Sequence, residues 1–80
     1  MSAQQKIKRK PLAIGNEYCD ARITTNRFRI ESVNFNLGFH SGVEIRWVGH
    51  GTGTQFFFLQ TESAFWGRPL FQNAIDAEVE

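Results

Sequence analysis

What this chain lacks narrows it first. It has one cysteine in 80 residues, Cys19, so no disulfide can close within it, and a reducing compartment is expected. The only soft metal ligands are Cys19, His40 and His50, and none pairs at a zinc-site spacing such as CxxC or HxxxH. No apolar run approaches the ~18 residues of a membrane span. The first residues are polar and basic with no apolar stretch behind them, so no secretory signal is expected and the chain reads as cytoplasmic. A chain this short has room for one core, and so small a core is marginal without reinforcement. With disulfide and metal set aside, self-association is the reinforcement that remains.

A net charge of one sign is also missing. The formal charge is +1, but it hides a polarity: Lys6, Lys8, Arg9 and Lys10 open the chain, and Asp76, Glu78 and Glu80 end it. Between them five arginines balance five acids, so the body is neutral and the asymmetry lies in the tails. Residues 1–10 lack apolar periodicity and are expected to be a disordered basic arm. The arm reads as a solubilising tail, as a strap for a phosphate backbone or an acidic partner, or as a nuclear-import-like patch by composition alone.

Aromatics are plentiful. Eight Phe, two Trp and one Tyr make up 14% of the chain, and some of that bulk is expected at an interface. The organising stretch is Arg27 to Leu59, three apolar-rich runs separated by Gly38–Gly42 and Gly49–Gly53. In the first run Phe28 and Ile30 face one way and Arg27, Arg29 and Glu31 the other, which is the period of a strand. The step from Ile30 to Val33 is three residues, so a β-bulge or bend is expected near Glu31–Ser32 to restore the phase and curl the strand. Val43, Ile45 and Trp47 share a face of the next strand. The charges on the opposite faces, Arg27, Arg29, Glu31, Glu44 and Arg46, read as a solvated cross-strand ladder, each pair contributing roughly 0.2–1 kcal/mol.

The sequence GHGTG at 49–53 looks like a phosphate-cradling loop, but such a loop needs a helix N-terminus after it. Here strand residues follow, and the expectation is a hairpin loop. Phe56 to Leu59 is apolar on both faces: either Phe56 and Phe58 or Phe57 and Leu59 point inward, and the other face must meet the C-terminal segment or a second subunit. Upstream, Glu17 to Ile23 is a short strand or one helical turn. Downstream, Thr61 is placed to cap a helical turn that Gly67 stops. Pro69 suits the start of another, with Leu70, Phe71, Ala74 and Ile75 on one face.

This layout over residues 14–66, with its short first segment, bent strand, hairpin and final helical turn, resembles SH3-like barrels in outline. The resemblance is to a general architecture without a specific motif, and it implies a fold rather than a function. The expected fold is all-β, or β-rich α+β: a small bent antiparallel sheet or SH3-like barrel over residues 11–75, one or two short C-terminal helical turns, and a loose acidic tail over 76–80. The expected core is Ile14, Phe28, Ile30, Val33, Phe35, Val43, Ile45, Trp47, Phe56, Phe58, Leu70 and Phe71.

No catalytic pair, metal site or cofactor is expected. His40 and His50 lie in glycine-flanked turns, and Cys19 has no partner placed by spacing. The expected function is therefore a non-enzymatic binding module, a protein-interaction or homo-oligomeric assembly domain whose interface uses Phe57, Leu59, Phe65, Trp66 and Phe71. The alternative is a nucleic-acid-binding small β-barrel that contacts phosphates through Lys6, Lys8, Arg9, Lys10, Arg27, Arg29 and Arg46 and stacks bases on an exposed Phe or Trp. A neutral body and a pI near 8.0 weigh against that alternative. The expected partner is a second copy or another protein, and no membrane.

Overall fold

Alternation decides the strands, and the computed structural model, which describes residues 8–77, follows it. Five strands form: β1 (Glu17–Asp20), β2 (Arg27–Asn34), β3 (Gly42–Trp47), β4 (Gln55–Phe58) and β5 (Ala74–Asp76). They make one antiparallel sheet in the order β4-β3-β2-β1-β5. A 3₁₀ turn at Gly38–His40 leads into β3, and one short helix, α1 (Glu62–Trp66), lies between β4 and β5. The connection through α1 carries the chain from one edge of the sheet to the other. β5 pairs with β1, and β4 and β5 hold opposite edges without pairing to each other, so the sheet stays open and the barrel does not form.

The bend sits where the hydrophobic phase jumps. Ile30 pairs with Ile45 and Ser32 with Glu44, with a register shift between Ile30 and Ser32 that leaves Glu31 as the extra residue. This keeps Phe28, Ile30 and Val33 on one face, opposite Trp47, Ile45 and Val43. The 49–53 stretch is a hairpin loop, and Gly49 (φ 87°) and Gly51 (φ 90°) supply the left-handed backbone that turns it. Thr61 caps α1 by accepting a hydrogen bond from the Ala64 N–H, and Gly67 ends the helix.

The core is one aromatic layer between the sheet and the segment that crosses it. Tyr18, Phe28, Ile30, Val43, Ile45 and Phe57 point from the sheet onto Phe65 of α1, Phe71 and Leu12. Phe71 stacks on Phe65 with ring centroids 4.2 Å apart and meets Phe28 at 5.0 Å and Phe57 at 5.1 Å. Such pairs add about 0.5–1.5 kcal/mol each beyond the area they bury.

Four expectations change. In β4 the inward phase is Phe57 with Leu59, and Phe56 and Phe58 stay 52% and 53% exposed. The 3–4 hairpin fixes this phase by setting Phe57 opposite the core residue Val43. Ile14 and Leu70, also expected in the core, are 72% and 51% exposed; Ile14 sits in the turn before β1, where the Gly15 N–H donates to the Ile30 carbonyl. Val33, Phe35 and Trp47 are half-buried against the core rather than within it. Finally, the second helical turn is absent. Residues 68–73 form turns, and Ala74 and Ile75 join β1 as a strand. The apolar spacing that suits a helix there is overridden by the backbone partners that β1 offers.

Candidate functional site

One face of the sheet is spent on the core, so any site is sought on the outer face and the two edges. The middle of the outer face is a charge ladder. Glu17 takes Arg27 at 2.8 Å and Arg29 at 3.7 Å; Glu31, carried outward by the bulge, takes Arg29 at 3.1 Å and Arg46 at 3.2 Å. The hydrogen bond from Arg29, with Arg46 beside it, holds the Glu31 carboxyl below its usual range. Asp20 is lowered likewise, by the hydrogen bond from Arg22.

Tyr18 shifts the other way. Its hydroxyl, buried under the N-terminal segment, donates to the carbonyls of Lys10 at 2.8 Å and Pro11 at 2.9 Å, and burial raises its pKa above the usual tyrosine value. The signs give an expected pH profile. The Glu31 and Asp20 contributions are present above the ordinary carboxylate range of about 4–4.5 and fade as pH falls through their lowered folded values. The Tyr18 contribution is present below the ordinary value of about 10 and is lost as pH rises through the raised one. Urea midpoints measured from pH 3 to 11 should fall at both ends. Tyr18→Phe should cost roughly 0.5–1.5 kcal/mol at neutral pH and weaken the alkaline fall; an unchanged alkaline limb in that variant would refute the assignment.

Along β4 the outer face changes character. Thr54 donates to Glu44 at 2.6 Å, and beyond it Phe56 and Phe58 stand side by side on the last strand. The Phe56 ring lies over Gly42, where no side chain intervenes. Just past the end of β4 the Leu59 N–H donates inward to the Ser41 carbonyl. By antiparallel alternation Phe57 and Gln55 also turn their backbone groups to β3, and Phe56 and Phe58 turn theirs off the edge. No described residue pairs with that edge.

The β5 edge is treated in the opposite way. The Ala77 N–H donates to the Glu17 carbonyl and the Ala21 N–H to the Asn73 carbonyl, so the backbone groups of Ala74 and Asp76 face outward. Arg9 covers them: its Nε donates to the Ala74 carbonyl at 2.7 Å and its Nη2 to the Gln72 carbonyl at 2.9 Å. Its guanidinium also lies 4.3 Å from the centre of the Trp66 ring. The Lys10 N–H donates to Asp76 at 2.8 Å, and the Leu12 N–H to Glu62, which also receives Trp66 Nε1. The N-terminal segment is thus a strap over the β5 edge.

The expected contact residues therefore separate. Phe57, Leu59, Phe65 and Phe71 are buried in the chain's own core and Trp66 is half-buried against it; for Phe57 and Leu59 this follows from the phase of β4, and for Phe65 and Phe71 from their packing on the sheet. Of the basic set, Lys6 lies outside the described residues, and Lys8 and Lys10 are exposed. Arg9 is held on the β5 edge, and Arg27, Arg29 and Arg46 are engaged by Glu17 and Glu31. These cations form no single surface. His40 and His50 are exposed in turns and Cys19 is buried. Among the described residues no three His, Cys, Asp or Glu side chains gather as a metal site, and no helix is long and apolar enough to cross a membrane.

Sequence reasoning missed the outward pair Phe56–Phe58; the signal for it was Gly42, a bare strand position that a cross-strand ring can cover. The strap had no local signal, since Arg9 and Ala74 stand 65 residues apart. Comparison with protein-family models, with curated proteins and with solved structures gives no match, so the β4 edge is interpreted from its own geometry.

Proposed function

We propose that this chain is a non-enzymatic protein-interaction or assembly module that works through the β4 edge. The observation that carries this reading is the contrast between the two edges of one sheet. β5 is three residues long, ends in Asp76 and lies under the Arg9 strap. β4 sits in an uncharged, proline-free stretch from Thr52 to Gln60, has no described partner on its outer side, and carries two half-exposed phenylalanines. Edge strands are usually guarded by charge, proline or a cover, because a bare edge is a template for another strand. A cytoplasmic location belongs to the same reading and rests on the single cysteine.

Nucleic-acid binding is the weaker reading. Phe56 and Phe58 offer faces on which bases could stack, but Arg27, Arg29 and Arg46 already neutralise acids, and phosphate contacts need cations to spare. Light scattering at low salt and at about 1 M salt, on protein checked for bound nucleic acid by its ultraviolet absorbance ratio, separates the two. An oligomer free of nucleic acid that survives high salt is the expected result, because apolar contacts are not screened. A monomer that carries nucleic acid at low salt and sheds it at high salt would overturn the reading.

A further inference from the structure

The geometry points to a second copy of this chain as the occupant of the β4 edge, paired antiparallel about a two-fold axis at Phe57, so that two five-stranded sheets join into one. This rests on the reading of β4 as the binding edge and adds the partner and the register.

The backbone sets the register. Phe56 and Phe58 turn their N–H and C=O groups outward, and they flank Phe57 symmetrically. A two-fold axis at Phe57 therefore pairs Phe56 of one copy with Phe58 of the other, twice. Each pair exchanges both of its backbone hydrogen bonds, and no outward group between the two pairs is left over. Their side chains all emerge on the outer face, so each pair also brings two rings together. Aromatic cross-strand pairs are among the favourable ones.

A strand pairs with its own image only if it does not repel itself. The stretch Thr52–Gln60 has no charge, whereas on the β1–β3 ladder Arg27, Arg29 and Arg46 are already paired with Glu17 and Glu31 within one copy. The opposite edge cannot compete, because Arg9 occupies the outward carbonyl of Ala74 and Asp76 accepts the Lys10 N–H.

The available area sets the strength. A phenylalanine buries roughly 150–250 Å², so four half-exposed rings supply about 400 Å². Specific, stable interfaces bury about 1,200–2,000 Å². The dimer is accordingly weak and concentration-dependent, with dissociation in the micromolar range or looser.

The test combines mass with register. Sedimentation or light scattering across a concentration series of the wild-type chain should show a monomer–dimer equilibrium insensitive to salt. Phe58→Lys replaces a half-exposed ring, so the fold should keep its circular dichroism while dimerisation weakens by at least about tenfold. For the register, Phe56→Cys and Phe58→Cys chains are mixed under mild oxidation. Directly opposed residues in this kind of pair have Cα atoms about 5.5 Å apart, within disulfide reach. Two copies of the same position sit two residues out of step, beyond about 7 Å, and cannot bridge. The mixture should crosslink as a heterodimer several-fold faster than either variant alone, and the wild-type chain, with only buried Cys19, should not crosslink.

A dimer indifferent to Phe58→Lys, with no preference for the mixed crosslink, would overturn this geometry and leave the assembly reading standing. A monomer at every concentration that takes an unrelated extended peptide on β4 would overturn the second copy as occupant and leave an interaction edge. A monomer that takes neither would overturn both.

Discussion

Replacing Phe71 with alanine is expected to leave the protein mostly unfolded or close to it. Phe71 has no solvent exposure and sits at the centre of the aromatic layer, stacked on Phe65 and in contact with Phe28, Phe57 and Trp47. It belongs to neither a strand nor the helix, so its side chain is what ties the turn between α1 and β5 to the sheet. Removing a buried ring typically costs about 3–5 kcal/mol, part transfer and part cavity. An 80-residue chain at roughly 0.05–0.15 kcal/mol per residue has only about 4–12 kcal/mol in all. The comparison that isolates the effect is Leu70→Ala, one residue earlier. Leu70 is half-exposed, and its loss should stay within about 0.5 kcal/mol. Urea unfolding followed by circular dichroism reads both, and similar midpoints for the two variants would show that Phe71 is not the keystone described.

The contrast between these neighbours also shows what the sequence carried and what it did not. Features decided within a few residues were legible. The three-residue step from Ile30 to Val33 gives the bulge at Glu31, because a strand that loses its phase must insert a residue to keep one face buried. Thr61 and Gly67 give the ends of α1 for the same local reason. The charge ladder followed once Arg27, Arg29 and Arg46 were known to oppose the core face.

Features decided by distant partners were not legible. Phe56 to Leu59 is apolar in both phases, so periodicity offers no choice; the choice comes from pairing with Val43 and from Gly42, which gives Phe56 a place to lie. Leu70, Phe71, Ala74 and Ile75 fit a helix by spacing, yet Ile75 pairs with Cys19, far back along the chain, and Leu70 turns outward. Whether the sheet closes depends on β4 meeting β5, and they do not pair. The candidate site inherits this limit. Its parts, an uncharged strand and two rings, were visible as text, but their placement outside rather than inside rests on a register that no local pattern fixes.

Gly42→Ala should test that register directly, at a cost of about 1–3 kcal/mol, the range for forcing extra atoms into a packed site. Gly42 opens β3 opposite Phe58, and its backbone conformation is an ordinary one, so the obstacle is space rather than dihedral strain. A Cβ added there would overlap the Phe57 carbonyl oxygen and come within 2.6 Å of the tip of the Phe56 ring. The ring is a side-chain end and can swing away. The carbonyl is part of the β3–β4 ladder, so the strand itself must move. That movement would disturb the buried Phe57 on one face and the Phe56–Phe58 pair on the other, so the variant should lose dimerisation along with stability. Gly53→Ala is the matched control: a Cβ there meets nothing within 4 Å and the backbone is not left-handed. It should be neutral or stabilise by about 0.4–1 kcal/mol through the unfolded chain. If Gly42→Ala unfolds at the same denaturant concentration as Gly53→Ala, then the Phe57 carbonyl does not approach Gly42 as described, and the β3–β4 register that sets the outward phase of β4 falls with it.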